Sequence, residues 1–327
     1  MGFIKITRYQ SNNLITPLVN DIIKAPLRGS TCVLTKTNDE ASQIAGVLQK
    51  RGIRSRLIQS NDGFSLYNLY ELRFFLNTLQ LEADSVVVSD ESWATAKKEL
   101  TTKFKNSSKL EIVKTLIADF EASCGRRKFK SDLEVFIRES KLEDFYSGDV
   151  ETIYVSTIHK SKGREFDNVF LMLNGVPSVT DDEVRPIYVA LTRAKNFLSI
   201  HTNGMECHGI RSNGLIETED AMQYSEPSDL TVELTLKDVW LDFFISRQHL
   251  YNNLISGSPL AVKNDRCSRT EEYLLRFSKT YRDTIRDLEQ KGYSLKEAKV
   301  NFILYWRKEG ADVECKIVIP ELSFQRQ

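Results

Sequence analysis

The sequence has no apolar run that approaches the roughly 18–20 residues needed to cross a membrane. Its first residues form a short strand-like run instead of a charged segment followed by an apolar core, so no secretory signal is indicated. The five cysteines are scattered, odd in number and without a CxxC pair, which argues for a reducing compartment. We therefore predict a cytoplasmic protein with no membrane partner.

The sequence also lacks an excess of charge of one sign, since Lys and Arg total 45 and Asp and Glu total 45. A neutral total neither indicates nor excludes nucleic-acid binding, because a binding groove requires only a local basic stripe. Basic clusters occur at 126–130 and at Lys160, Lys162 and Arg164, and on charge alone either could be a solvated face. No Cys and His residues have the spacing of a zinc site, and we predict no metal site.

Strand-like and helix-like patterns alternate over residues 1–80, which predicts βαβ units and a largely parallel sheet. The predicted strands are Phe3–Thr7, Thr31–Thr35 and Ile53–Gln59, and the predicted helices are Leu14–Lys24, Ala41–Arg51 and Leu66–Leu79.

The rest of the chain divides into four parts by its periodicity. Apolar residues at helical spacing predict a helical insertion over about 84–150, after which the α/β pattern returns until about residue 203. Residues 204–230 are rich in Gly, Asn and Ser and predict a linker. A small α+β domain is predicted at 231–327, with helices at 236–244 and 271–291 and a hairpin of Val300–Trp306 and Val313–Ile319.

The segment from Tyr154 to Leu171 carries the clearest chemical signal. A buried strand leads into a polar loop with one glycine, and a second apolar strand follows, which predicts a loop at the carboxyl edge of a parallel sheet. The loop offers a hydroxyl on Thr157, a ring donor on His159, two ammonium groups and a carboxylate on Glu165. This mixture suits a phosphodiester strand on one side and a sugar hydroxyl on the other.

This segment resembles motif V of the UvrD/Rep/PcrA superfamily 1 DNA helicases, T-x-H-x-A/S-K-G-x-E-F-x-x-V. The resemblance implies that Thr157 and His159, with Lys160 and Lys162, contact DNA. It also implies that Gly163 and Glu165 contact the nucleotide, with Glu165 bonded to the ribose.

Two further stretches resemble motifs of the same family. Residues 185–195, RPIYVALTRAK, resemble motif VI, which implies that Arg193 is a catalytic arginine finger that reaches the γ-phosphate of ATP. Residues 8–12, RYQSN, are similar to the family's N-Y-R-S-T motif, but Gln10 replaces the arginine that would be a second γ-phosphate ligand. Either Arg8 substitutes for it or that contact is missing.

The resemblance covers residues 1–203, most closely 154–200, and implies a RecA-like second motor domain. No G-x-x-x-x-G-K-[ST] loop occurs in these 327 residues, so an N-terminal RecA-like domain, in cis or in trans, would have to supply the Walker loop and Mg²⁺. The implied ligands are ATP and single-stranded or partly duplex DNA. The part from 235 to 322 is more loosely similar to the C-terminal region of bacterial RecQ–UvrD fusion helicases.

Two alternatives to a helicase motor part stay open. The first is a DNA-binding module that keeps the DNA groove without ATP turnover. The second is a metal-dependent nuclease, because Glu314-Cys315-Lys316 has the E-x-K form of such sites, although alternation on a half-exposed hairpin strand explains it equally well.

Overall fold

The computed structural model describes residues 3–58, 63–81, 86–125, 127–145, 152–175, 181–204, 207, 214–263, 266–268 and 272–326, with backbone alone at 181–184 and 263. Parts of several predictions lie outside these residues: Gln59, Arg126, both ends of the insertion, much of the linker, and Glu271.

The described residues form fifteen strands and nine α-helices. The strands are β1 Phe3–Tyr9, β2 Thr31–Thr35, β3 Ser55–Leu57, β4 Val87–Val88, β5 Lys128–Phe129, β6 Ile153–Thr157, β7 Phe166–Leu173, β8 Ala194–Thr202, β9 Leu215–Asp220, β10 Asp229–Glu233, β11 Pro259–Lys263, β12 Arg266–Ser268, β13 Tyr273–Arg276, β14 Tyr293–Trp306 and β15 Cys315–Arg326. The helices are α1 Ile15–Lys24, α2 Asn38–Lys50, α3 Tyr70–Thr78, α4 Asp90–Lys103, α5 Leu110–Ser123, α6 Lys130–Glu139, α7 Asp181–Leu191, α8 Asp242–Ile245 and α9 Lys279–Gln290.

The chain folds into two compact units, and the first contains residues 1–59, 148–232 and 325–327. Its sheet has seven strands in the order β3-β6-β2-β7-β8-β1-β9, and the strand pairs are parallel. The interior strand β2 is buried at all five positions, as expected of a strand covered by helices on both faces of a parallel sheet. The predicted RecA-like α/β architecture is confirmed.

The helices of the first unit follow from local sequence signals. Helix α1 buries Ile15, Leu18, Val19 and Ile22, which recur at helical spacing and so face the core. Helix α2 begins after Thr37, whose side chain accepts from the backbone of Glu40 while the Glu40 carboxylate accepts from the backbone of Thr37. This reciprocal capping box satisfies backbone donors at the helix start.

The second unit contains residues 60–147 and 233–324. The predicted insertion and the predicted small domain therefore fall in one compact unit. Helices α3 to α6 come from the first stretch, and most of the sheet β10-β15-β14-β11-β12-β13 comes from the second, with antiparallel pairing at β11–β12, β12–β13 and β11–β14. The two stretches share a core: Leu69 forms a β-bridge with Leu304, and the Lys109 ammonium donates to Asn301 Oδ1 at 2.9 Å.

Three predictions of local structure differ from what is observed. The predicted linker contains β9, an added edge strand of the seven-stranded sheet. The helix predicted at 236–244 is reduced to α8, because Val239 forms a bridge with Phe277 instead of continuing a helix. The helix predicted at 271–291 begins only at α9, after β13 and the N-cap Ser278. It ends at Gln290, and Gly292 follows with a φ of +86°, as expected of a glycine that terminates a helix.

Candidate functional site

The polar segment after β6 crosses the first unit from one edge of its sheet to the other. Thr157 ends β6 level with Thr35, at the carboxyl edge of the parallel strands. Phe166 begins β7 on the opposite edge, two residues before the position level with Thr31. The prediction that the whole loop lies at the carboxyl edge was therefore wrong, since only its first half does. The residues assigned to DNA and those assigned to the nucleotide lie at opposite edges.

The carboxyl-edge half contains the residues that sequence analysis assigned to DNA. The backbone N–H of Ile158 donates to the carbonyl of Thr35 at 2.9 Å, which anchors the loop to β2. The Lys160 ammonium donates to Asn38 Oδ1 at 2.8 Å, at the start of α2. His159 and Lys162 are exposed, whereas Thr157 is only 7% exposed. The ring and the ammonium group, more than the threonine hydroxyl, are therefore available to a polyanion.

Gly163 turns the segment toward the amino edge. Its φ of +83° lies in the left-handed region, and no atom lies within 4 Å of the position that a Cβ would occupy. A larger residue would therefore be strained by its backbone conformation and not by lack of space. The structure assigns Gly163 a conformational role, and the nucleotide contact implied by the resemblance stays a prediction.

At the amino edge, Arg193 lies against the end of the crossing segment. Its Nη1 donates to the carbonyl of Arg164 at 3.1 Å, its Nε to the carbonyl of Val189 at 2.9 Å, and its Nη2 to Thr192 Oγ1 at 3.0 Å. Its own carbonyl accepts from the backbone N–H of Phe166 at 2.8 Å. A guanidinium carries more N–H donors than these three side-chain bonds use, so donors remain for a further acceptor.

Glu165 lies beside Arg193 at the amino edge, and its carboxylate is weakly bound. Its Oε2 lies 3.5 Å from the Lys195 ammonium, and both side chains are more than half exposed. Ion pairs of this kind contribute little stability, so the carboxylate can exchange Lys195 for another donor. Glu165 and Arg193 thus form one group, the amino-edge pair.

A hydrogen-bonded cluster around Asp167 holds this edge together. Its residues are not among the site residues predicted from the sequence. Asp167 Oδ2 accepts from the backbone N–H and the hydroxyl of Ser30, both at 2.9 Å, and Oδ1 accepts from Asn196 at 3.1 Å. The bonds from Ser30 lower the pKa of Asp167 below its usual value. A Cβ on Gly29 would lie 2.4 Å from Asp167 Oδ2, so this close approach requires glycine. No local pattern in the sequence signals these long-range bonds.

The structure does not bring Arg8 together with the amino-edge pair. Arg8 is level with Thr202 at the carboxyl edge, and Thr202 lies nine residues beyond Arg193 in the sequence. At roughly 3.3 Å per residue, about 30 Å separates the two arginine backbones, too far for both to reach one phosphate within this unit. The Arg8 Nε instead donates to Glu217 Oε1 at 2.6 Å, and its side chain is only 14% exposed.

The residues of the alternative nuclease site have other contacts. In the second unit, Glu314 pairs with Arg73 at 2.8 Å, and the Lys316 ammonium lies 4.2 Å from the centre of the Tyr70 ring. Within the part of the chain that the structure describes, no group of three His, Cys, Asp or Glu residues could hold a metal ion. Among the same residues, no helix is long and apolar enough to span a membrane.

Comparison with known families decides which kind of domain this site belongs to. Residues 83–204 match the UvrD-like helicase C-terminal domain. This part of the chain is a UvrD-like helicase C-terminal domain. Every candidate site residue except Arg8 lies inside it, including the segment that joins the two sheet edges. The likeness predicted for the C-terminal part of the chain lies outside the matched residues and stays a prediction.

A related protein supports the assignment of the UvrD-like domain. F-box DNA helicase protein 1 of Schizosaccharomyces pombe is 28% identical over 204 residues, an alignment that takes in 50% of this chain. The chain spans 23% of that relative's length.

Proposed function

We propose that this chain is the C-terminal motor part of an ATP-dependent DNA helicase. It contributes contacts to single-stranded DNA at the carboxyl edge of the sheet and contacts to ATP at the amino edge. An N-terminal RecA-like motor domain, in cis or in trans, supplies the Walker loop and Mg²⁺. One observation carries the proposal: a single segment of the UvrD-like domain runs from His159 to Glu165 across the sheet and is hydrogen-bonded at its far end to Arg193.

The polar side chains at the amino edge suit a nucleotide. The exposed carboxylate of Glu165 accepts hydrogen bonds, as recognition of a ribose hydroxyl requires. Arg193 keeps its positive charge at any physiological pH and presents a planar fork that suits a phosphoryl group. Such an arginine stabilises the negative charge that develops during phosphoryl transfer. Because the carbonyl of Arg164 orients the guanidinium, movement of the crossing segment would change where this charge points.

The carboxyl-edge half fits a nucleic-acid backbone. His159 and Lys162 are exposed, and Lys160 is held in place by Asn38. Cationic side chains on an exposed loop bind phosphates without reading the base sequence. The same segment ends at Glu165, so DNA binding at one edge and nucleotide binding at the other are coupled through one stretch of backbone.

The proposal is tested by reconstitution. We expect the chain alone to hydrolyse no ATP, and we expect a mixture with an N-terminal RecA-like helicase domain that carries a Walker loop to show ATPase activity stimulated by single-stranded DNA. The measurement is phosphate release with and without oligo(dT). The matched control is the same N-terminal domain alone. A mixture no more active than the N-terminal domain alone would contradict the proposal.

Replacement of Lys162 by glutamine is expected to weaken binding of single-stranded DNA with little dependence on its sequence. Loss of one phosphate contact should make the slope of log K against log salt shallower by about 0.7, the value for single strands. The measurement is fluorescence anisotropy of labelled oligonucleotides at several salt concentrations. Lys24→Gln, at the exposed end of α1, is the matched control. An unchanged slope in Lys162→Gln would remove Lys162 from the DNA contacts.

One observation favours a second candidate function, a DNA-binding module without ATP turnover. All three nitrogens of the Arg193 guanidinium already have partners inside the first unit. An arginine bound in this way could serve only to hold the crossing segment. The two functions differ in the reconstitution experiment, because the binding module would bind oligo(dT) and add no ATPase activity. Metal-dependent cleavage of single-stranded DNA by the purified chain would instead support the nuclease alternative.

A further inference from the structure

A pocket of about 350 Å³ lies on the second unit, between the start of α9 and the turn at Val239 and Trp240. Three backbone contacts build it: Val239 bridges Phe277, the Trp240 N–H donates to the carbonyl of Arg276 at 2.8 Å, and the Ser278 N–H donates to the carbonyl of Asp238 at 2.8 Å. Its volume falls within the range of about 300–1,000 Å³ that is usual for ligand pockets. These contacts pair the backbone of residues 238–240 with that of residues 276–278 and so make the pocket a fixed feature of the unit.

The lining of this pocket is strongly cationic. Arg276, Lys279 and Arg282 line it together with Val239 and Phe277, and none of its described lining residues is acidic. Two carboxylates adjoin lining residues in the sequence, and both are engaged. Asp238 accepts from the backbone and the hydroxyl of Thr235, both at 2.7 Å, and Asp283 accepts from the Arg286 guanidinium at 2.6 Å. Lys279 is exposed and has no ion-pair partner among the described residues. The charge of the pocket therefore favours an anionic ligand.

The same pocket exposes a tryptophan. Trp240 is 46% exposed, whereas Trp93 is buried and donates its indole N–H to Glu121. The indole N–H of Trp240 has no acceptor within the described part of the chain, and the Arg276 guanidinium lies 5.3 Å from the centre of its ring. A large aromatic ring with an unused N–H donor, beside several cations, presents both a stacking surface and a polar contact.

We propose that this pocket binds one nucleotide of a single-stranded DNA segment, with the phosphate at Lys279 and the base or sugar against Trp240. This inference rests on the proposed function, in which the chain binds single-stranded DNA. Aromatic rings that stack on bases inside a positively charged groove are the usual means of binding single strands without sequence preference. The cations alone would also accept a phosphorylated peptide, but the exposed indole favours a ligand with a planar base.

The test measures the affinity of the full chain for labelled oligo(dT) by fluorescence anisotropy. Replacement of Trp240 by alanine should weaken binding about tenfold, since stacking of one base is typically worth that much or more. Trp240→Phe keeps a ring and should retain most of the affinity. Lys279→Gln should make the salt slope shallower by about 0.7. Lys291→Gln, exposed just beyond the other end of α9, is the matched control and should behave as the unmodified chain.

A second readout locates the DNA directly. Oligonucleotides that carry 5-bromouracil should crosslink under ultraviolet light to the peptide that contains Trp240, and mass spectrometry would identify it. Unchanged affinity in both Trp240→Ala and Lys279→Gln, with no such crosslink, would overturn the inference. If Lys162→Gln still weakened binding in that case, the proposed function would stand while the pocket failed. A phosphoserine peptide that bound the pocket and was displaced by none of the oligonucleotides would assign the pocket to a protein partner. That result would overturn the inference as well.

Discussion

Replacement of Arg193 by alanine is expected to abolish most of the reconstituted ATPase activity, with a loss of about 10³-fold or more in kcat. The guanidinium donates to the carbonyl of Arg164, the residue before the ribose-binding candidate Glu165, and it keeps N–H donors for a further acceptor. Alanine removes the charge that stabilises the transferred phosphoryl group. The measurement is single-turnover phosphate release in the mixture with the N-terminal motor domain and oligo(dT).

Two controls separate this role from a structural one. Arg56→Ala, on the exposed edge strand β3 of the same unit, should leave the ATPase rate unchanged. Arg193→Lys keeps the charge but loses the planar fork, and it should recover only part of the rate. Because Arg193 also holds the carbonyl of Arg164, thermal melting must show that the variant is folded. A folded Arg193→Ala protein with an unchanged rate would leave this residue a purely structural role.

The candidate segment could be located from the sequence because its residues are close together. The segment from Tyr154 to Lys195 contains a buried strand, a polar loop with one glycine, and a second strand, and each of these is a local pattern. The parallel sheet was likewise predictable, since strands buried on both faces read as short apolar runs such as Thr31–Thr35. Local patterns therefore predicted the fold class and located the segment, while the roles of its residues are those that the resemblance to the helicase motifs implies.

The geometry of the site was not predictable, because it depends on contacts between distant parts of the chain. The bonds between Ser30 and Asp167 span 137 residues, and no feature of either residue indicates its partner. The helix predicted at 236–244 shows the same limit. The hydrogen bond expected at its start does form, because Asp238 accepts from the backbone of Thr235. However, the bridge between Val239 and Phe277 prevents these residues from continuing as a helix. Tertiary pairing overrides helix propensity, which amounts to only a fraction of a kcal/mol per residue.

The division into two units was also hidden from the sequence. Residues 60–147 and 233–324 form one unit although 85 residues or more separate them in the chain. Their shared core includes the pair of Phe64 and Phe302 rings, 5.1 Å apart, and the contact of Lys109 with Asn301. Composition and periodicity report on one segment at a time, so they indicate an insertion and a tail but not their association.

Replacement of Asp21 by alanine is expected to destabilise the first unit by about 2–3 kcal/mol, the usual range for hydrogen bonds to a charged group that leave polar partners behind. Asp21 on α1 accepts from the Lys5 ammonium at 2.7 Å and from the Ser199 hydroxyl at 3.1 Å, and it lies 3.3 Å from His201 Nε2. His201 is fully buried, and its Nδ1 lies 2.8 Å from the Tyr9 hydroxyl. Removal of the carboxylate would leave the buried Ser199 hydroxyl and His201 ring without this acceptor.

The same network predicts how stability depends on pH. Burial alone would raise the pKa of Asp21, but hydrogen bonds from His201 and Lys5 outweigh it and hold this pKa well below its usual value. A carboxyl group whose folded pKa is depressed contributes stability that is present above its unfolded pKa, near 3.8, and is lost as the pH falls below that value. Burial also lowers the pKa of His201, so the ring is neutral at neutral pH and relays a hydrogen bond between Tyr9 and α1.

Urea denaturation at about pH 7 and about pH 3 separates these effects. At the higher pH, Asp21→Ala should unfold at a clearly lower urea concentration than the unmodified chain. The difference should shrink at the lower pH, because the unfolded chain begins to bind a proton at Asp21 while the folded chain keeps this carboxylate ionised. Asp21→Asn should lose less, because its amide oxygen still accepts from Lys5. Glu219→Ala, which removes an exposed carboxylate on β9, is the matched control and should lose nothing measurable. Equal losses at both pH values would show that the charge of Asp21 contributes no stability and that only packing was removed.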